Sequence, residues 1–306
     1  MTNSPDTALR MPAYGGQAVM EGVMMRGKKN VAMAVRAPNG EIVTFEEQLP
    51  SFYQSKWAKM PFVRGLISLW DSLGLGMRYL TKSANVQTGE DEKLEGTTLF
   101  LTILVAIVIG VGMFFLLPAL VAGWLDGLFK LGPWWSNLLE GLLRLIILVI
   151  YLAAVGKMPE IKRTFMYHGA EHKTINAFEA GVELTPENVA KQTKVHPRCG
   201  TSFILTLVLI SVLFFSLLGP LPLGWRLVSR ILMLPIVAGI AYEYIRWAAR
   251  AMETSAVVRF LIKPNLLLQK LSTREPSLDM LEVSIKAFQT MYAMEIRDSQ
   301  AAPGAV

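Results

Sequence analysis

The chain contains one cysteine, Cys199, and three histidines among 306 residues. A single cysteine excludes an internal disulfide, so the thiol content gives no argument for an oxidising compartment. Charge is sparse as well: 18% of residues are charged against 52% hydrophobic, and the mean hydropathy is +0.39. That balance suits a membrane protein better than a soluble domain of this size. The N-terminal glycines are not followed by G-K-[ST], which excludes a P-loop. No nucleic-acid-binding motif is present, and basic residues at membrane edges account for the net charge of +6 without a nucleic-acid partner. The opening residues Met1–Arg10 lack an apolar stretch, so no cleavable signal peptide is expected.

What is present, by contrast, is long and apolar. Gly96–Leu125 carries no charge over thirty residues, and Thr201–Trp225 none over twenty-five. Each exceeds the roughly 20 residues that a spanning helix needs. Trp134–Val155 is a third candidate despite Glu140 and Arg144, which are four apart and can pair on one face. Arg226–Trp247 is a fourth, with basic residues at its start able to snorkel outward and Pro235 tolerated as a kink. The fold expected is therefore mainly α, a polytopic helical membrane protein with about four transmembrane helices.

Lysine and arginine are unevenly shared between the connections. Residues 126–133 hold only Lys130 and residues 219–225 hold none, whereas 156–200 hold Lys157, Lys162, Arg163, Lys173, Lys191, Lys194 and Arg198. Five more basic residues, from Arg250 to Arg274, follow the last candidate span. The positive-inside rule then puts both termini and the middle loop in the cytoplasm. Three regions result: a cytoplasmic 1–96, a transmembrane core 97–249 that includes the loop 156–200, and a cytoplasmic tail 250–306. In the first, Val31–Arg36 and Glu41–Glu46 flank an Asn-Gly pair and predict a β-hairpin. A helix from Pro61 to about Ala84 would carry an apolar stripe of Phe62, Leu66, Leu69, Leu73 and Met77, suited to a membrane surface or to other helices. The tail reads as an amphipathic helix, Leu278–Met294, ending in a disordered stretch from Ala301 to Val306.

All three histidines and the cysteine fall in two short motifs, Tyr167-His-Gly-Ala-Glu-His-Lys173 and His196-Pro-Arg-Cys-Gly200. On a helix, His168 and His172 face the same way about 6 Å apart, with Glu171 beside them. The H-x-x-E-H order is one that zinc hydrolases use, two imidazoles on the ion and the carboxylate on a water. Pro159 can open this helix and Gly181 can stop it. Continued straight from the preceding span, the helix would carry His168 about 20 Å from the membrane, while His196 stays near it. The motifs meet only if the chain bends, and Gly156 with Pro159 offers the place. His168, His172, His196 and Cys199 would then form a nitrogen-and-sulfur set suited to a divalent metal, zinc above others. With Cys199 as the fourth ligand the site is closed and structural; with Cys199 outside it, a position is left for water. Glu171 is the candidate general base. Glu179 shares the His172 face but lies about 10 Å along the helix, too far for one ion.

Two further features bear on function. Tyr14-Gly-Gly-Gln-Ala-Val-Met-Glu-Gly-Val-Met-Met-Arg-Gly27 places four glycines within thirteen residues, with Glu21 and Arg26 its only charges. It permits close backbone approach to a ligand, or reads more simply as a glycine-rich turn before the hairpin. Glu243, near the cytoplasmic end of the fourth span, either pairs with Arg246 or completes the histidine site. Arg26, Lys173 and Arg198 are candidates to hold an anionic group.

The glycine-rich segment, the H-x-x-E-H run and His196-Pro-Arg-Cys-Gly-Thr-Ser202 together resemble the YqhQ-like family of bacterial integral membrane proteins, which has relatives in plastids. The resemblance runs from about Pro12 to Met294. It implies a protein integral to the bacterial cytoplasmic membrane and a metal-dependent enzyme. The expectation is a hydrolase at the cytoplasmic membrane surface, in contact with lipids and acting on a lipid or membrane-attached peptide. The alternative is a scaffold or transporter with a structural metal.

Overall fold

A computed structural model describes residues 14–50, 60–88, 96–217, 221–252 and 254–301. The expectations for Met1–Arg10 and for the residues after 301 lie outside the described residues.

Strands β1 (Gly15–Val19), β2 (Gly22–Arg26), β3 (Asn30–Arg36) and β4 (Ile42–Gln48) form one antiparallel sheet in chain order. β3 and β4 pair from Arg36↔Ile42 to Asn30↔Gln48, and Gly40 takes the left-handed conformation of the turn at φ 88°. The hairpin expected there is thus half of a larger sheet. The glycine-rich segment, read more simply as a turn, instead forms β1 and β2, closed at Val19↔Gly22. Glycine has low strand propensity, and that hid the strand signal. Alternate side chains of β2 and β3 enter two cores. Val23, Met25, Ala32 and Ala34 lie in one; Met24, Val31, Met33 and Val35 lie in the other. A sheet whose central strands are buried on both faces needs a helix layer on each.

One layer is α1 (Val63–Thr88), which sets Leu75 and Tyr79 against the sheet. Asp71, buried on the same face, lies 2.6 Å from Arg26 of β2. The expected apolar stripe points elsewhere: Phe62, Leu66 and Leu73 are exposed.

After α1 come α2 (Gly96–Val111), a single π-helical turn Gly112–Leu116, and α3 (Leu117–Phe129). These run on as one apolar helix of 34 residues. α4 (Gly132–Val155) follows, then α5 (Pro159–Glu179), the short α6 (Pro186–Ala190) and α7 (Gly200–Leu217). Gly96–Phe129, α4 and α7 are long and apolar enough to cross a membrane. α8 (Leu223–Leu232) and α9 (Leu234–Ala251) make a fourth such segment if the pair, bent by 45°, counts as one. The break at Met233 follows from Pro235, whose ring crowds the carbonyl of Ile231 and which has no N–H to donate. Ile107, Ile150, Leu213 and Trp247 are among the large apolar side chains these helices leave exposed.

Arg226 and Arg230, expected to snorkel outward, instead turn inward and are buried on Glu140 of α4. Glu140 also pairs with Arg144, as their spacing suggested.

Three helices complete the chain: α10 (Ala256–Leu261), α11 (Lys263–Ser272) and α12 (Leu278–Ala301). α11 packs Leu268 against Leu148 of α4 and Leu205 of α7. α12 and α5 form the second layer on the sheet, where Tyr167, Ile175, Phe288 and Met291 meet Val23 and Ala34. The bend between α4 and α5 lies where glycine and proline placed it. Met158 is extended, at φ −68° and ψ 133°, because the residue before a proline is forced out of the helical region. α5 therefore leaves the line of α4 and lies along the sheet.

Candidate metal centre

Within α5, His168 and His172 stack edge to face with ring centroids 4.4 Å apart. Each ring is fixed by a backbone carbonyl: His168 Nδ1 lies 2.9 Å from Ser272 O, and His172 Nδ1 lies 2.8 Å from Lys194 O. A carbonyl only accepts, so Nδ1 carries the hydrogen in both rings and Nε2 presents its lone pair. Outer-shell carbonyls orient metal-binding histidines in this way. His168 Nε2 is 3.2 Å from Cys199 Sγ, and one ligand atom from each of His168, His172 and Cys199 falls within 4.8 Å of the others. Around a zinc ion with ordinary bond lengths, a nitrogen and a sulfur are about 3.5 Å apart. The donor set and its spacing therefore fit a divalent ion of that kind.

The second motif reaches α5 because His196 is anchored to α11. Gln269 accepts from His196 N (3.0 Å) and donates to His196 O (2.8 Å) and to Ser202 Oγ (2.6 Å). Cys199 immediately precedes α7, where Thr201 N donates to its sulfur at 3.4 Å. His196 stands beside the three-atom cluster and is not one of its members. Its ring centroid is 5.8 Å from that of His172, its Nδ1 accepts from Arg198 N at 3.3 Å, and its Nε2 lies 3.5 Å from Glu179. Among the described residues Nε2 has no hydrogen-bond partner within ordinary limits. Burial pushes the pKa of His196 below that of an ordinary imidazole, against the pull of Glu179.

Glu171 is buried between α5 and β1. Burial raises its carboxyl to about pKa 7, opposed by His168 and by the backbone N–H of Gly16. A Cβ on Gly16 would come within 2.5 Å of Met24 O and 3.0 Å of Glu171 Cγ, so only glycine fits between strand and carboxyl group. Gly169, between the two histidines, is required for a similar reason. A Cβ there would lie 2.1 Å from Arg274 O, in the segment that also supplies Ser272 O to His168.

The remaining candidates are paired elsewhere. Glu21 binds Arg163 at 2.5 Å and accepts from Tyr167 Oη at 3.3 Å. Arg26 faces Asp71, Lys173 contacts Glu275 at 2.5 Å and Ala190 O at 2.6 Å, and Arg198 bonds Glu179. Each of these three cations thus has a carboxylate beside it. Glu243 is held by Arg64 and by the backbone N–H of Phe62, not by Arg246 or the histidines. Gln269, Ser272 and Lys194 support the centre without belonging to either motif. No sequence signal marks them, since two act through backbone carbonyls and Gln269 follows three leucines outside any motif.

The centre so assembled combines two neutral nitrogen donors, a thiol and a carboxyl group poised to take or give a proton near neutral pH. Comparison with known proteins adds kinship without chemistry. Residues 60–294 match the family described as "Protein of unknown function (DUF1385)". The chain belongs to that family. It is also 34% identical over 306 residues to "Uncharacterized protein YqhQ" of Bacillus subtilis (strain 168), spanning 94% of this chain and 95% of that relative. No solved structure matches it. Both histidine motifs and Glu171 lie inside the family match, whereas the sheet residues 14–48 precede it.

Proposed function

We propose that this protein is a metal-dependent enzyme integral to the bacterial cytoplasmic membrane, most plainly a hydrolase whose centre lies at the cytoplasmic surface. The observation that carries the proposal is the convergence of His168, His172 and Cys199, with both Nδ1 atoms tied to carbonyls and a buried carboxyl group alongside. These three residues hold the ion, zinc by the chemistry of the set. Once bound, it supplies Lewis-acid activation of water or of a substrate oxygen. Glu171 accepts the proton, a task suited to a carboxyl group whose pKa lies near neutrality. Gly16 N–H holds that carboxyl group in place, and Ser272 O and Lys194 O fix the imidazoles. His196 stands outside, turned to Glu179.

Membrane residence is supported by the apolar helices, and a cytoplasmic 156–200 segment with both termini on the same side is supported by the skew of lysine and arginine. The exposed stripe of α1 lies on the membrane surface. A cavity of about 430 Å³ lies between Met77, Arg78 and Lys82 of α1 and Leu99 and Ile103 of α2, on the sheet face opposite α5 and apart from the histidines. A centre at the cytoplasmic membrane surface would meet lipids and membrane-attached peptides, and these are the substrate class.

His196 favours a second reading, because its recruitment as a fourth ligand would give a closed, structural site in a scaffold. Metal content separates the two. Elemental mass spectrometry of the detergent-purified chain should give about one zinc per chain, lost in His168→Ala/His172→Ala and kept in His196→Ala. Loss of zinc from His196→Ala as well would favour the scaffold. A metal-free wild type, unchanged after zinc is added back, would remove the proposal.

A further inference from the structure

A second cluster of buried charge lies away from the histidines. Glu140 of α4 contacts Arg144 at 2.8 Å, Arg230 at 2.9 Å and Arg226 at 3.0 Å. Arg144 also donates to Ser211 Oγ of α7 and to Phe114 O, in the π-helical turn. Their side chains are 2 to 3% exposed, except that of Arg226 at 11%. Three guanidiniums against one carboxylate leave an excess of two positive charges. Asp126 and Lys130, in the chain leading into α4, cancel one another, and Asp126 accepts from Gly132 N. Positive charge buried among apolar spans is costly unless an anion accompanies it.

Donor groups remain for such an anion. Among the described residues Arg226 Nη1 bonds only Ser136 Oγ and Arg230 Nη1 only Ser229 Oγ, although each nitrogen carries two hydrogens; the Phe215 ring covers one face of the Arg230 guanidinium at 4.0 Å. Planar guanidinium forks match phosphate oxygens, and a phosphate group carries one or two negative charges, close to the excess here. Arg226 is the most exposed member, its side chain 11% exposed, and is the one nearest to solvent or lipid. Along α4, Glu140 is about 12 Å from the Gly132 end and about 23 Å from Val155, where the chain leaves for the histidine motif.

We propose that Glu140, Arg144, Arg226 and Arg230 form an intramembrane binding site for a phosphate group, in the half of the bundle remote from the metal centre. Arg226 and Arg230 bind the phosphate, and Glu140 holds the forks apart. This rests on the membrane reading and not on the metal.

The test uses full-length protein, delipidated in detergent and titrated separately with short-chain phosphatidylglycerol, short-chain phosphatidylcholine and inorganic phosphate. Thermal midpoint and native mass spectrometry are the readouts, with zinc content followed in parallel. Saturable stabilisation by phosphatidylglycerol alone supports the site with a lipid source; stabilisation by inorganic phosphate supports it with a free anion as source. Arg226→Gln should weaken either about tenfold, the effect of losing a charge-assisted bond, while leaving zinc unchanged. If Arg226→Gln does not fold, Arg226→Lys, which keeps the charge but not the fork, should also bind more weakly. No response to any probe, or a response that Arg226→Gln and Arg226→Lys leave unchanged, would overturn the proposal and leave the cluster as a structural network.

Discussion

Glu171 departs furthest from ordinary behaviour among the residues of the metal centre. Burial moves its pKa from 4.5 to about 7. Between those values the unfolded chain has released a proton that the folded chain still holds. The contribution of Glu171 to the stability of the metal-free protein is therefore fully present below pH 4.5 and is lost as pH rises to about 7, by about 3 kcal/mol in all. His196 acts in the opposite sense: its lowered pKa makes acid destabilising below its ordinary 6.5. That contribution is common to wild type and to Glu171→Gln, so it cancels in their difference. Thermal midpoints of metal-stripped protein from pH 5 to 8 should show Glu171→Gln gaining on wild type as pH rises. A constant offset would mean that Glu171 does not titrate in this range. Gly169 offers a second test at this scale. An alanine Cβ meets a backbone oxygen at 2.1 Å, so the segment from Ser272 to Arg274 has to move and His168 loses its anchor. Gly169→Ala should cost about 1–3 kcal/mol and lower zinc affinity about 10- to 100-fold in competition with a chelator. The sequence showed that His168, His172 and Glu171 lie close together on one helix, because helical spacing sets which side chains are neighbours, but it grouped His196 with them, and the structure leaves that ring outside the cluster. It did not reveal that Gly16 and Gly169 are required, since that depends on what packs against each from distant parts of the chain.

At the scale of elements, legibility followed how much of each element's pattern is local. The long apolar helices, the β3–β4 hairpin and the bend at Met158 were all readable, because hydropathy, Asn-Gly and Gly/Pro signals act over a few residues. β1 and β2 were not, since their glycines are there to admit Glu171, Met24 and Val35 and depress strand propensity. The inward turn of Arg226 and Arg230 was equally hidden, because it depends on Glu140 some ninety residues earlier. α11 is the clearest case. It gives no motif, yet its Gln269 satisfies both backbone groups of His196 and so brings the second motif to the first. Gln269→Ala would strand the buried His196 N–H, costing about 1–3 kcal/mol, and leave the His196 carbonyl only the 3.3 Å bond from Cys199 N. The expected result is a lower thermal midpoint together with partial loss of zinc from a protein whose His168 and Cys199 are intact. Full zinc occupancy in a folded Gln269→Ala would show that the second motif finds the first without α11.

The whole molecule combines two kinds of burial. The sheet with α1, α5 and α12 has interior residues at zero exposure, whereas the window of highest hydropathy in Gly96–Phe129 is not buried at all. An apolar helix of 34 residues whose most apolar stretch contains no buried residue needs another solvent there, and a bilayer supplies it. Placing the layered body in the cytoplasm puts the metal centre beside the inner leaflet and the Glu140 cluster nearer the outer one. Because Cys199 is the only cysteine, Cys199→Ser gives a background for single reporter cysteines. In intact bacterial cells, a membrane-impermeant maleimide should label Lys130→Cys, between α3 and α4. It should spare Glu183→Cys, between α5 and α6, until the membrane is opened. Both positions are exposed, so neither result can be ascribed to burial in the fold. Labelling of Glu183→Cys in intact cells would invert the topology, move the metal centre to the outer face and remove cytoplasmic substrates from consideration.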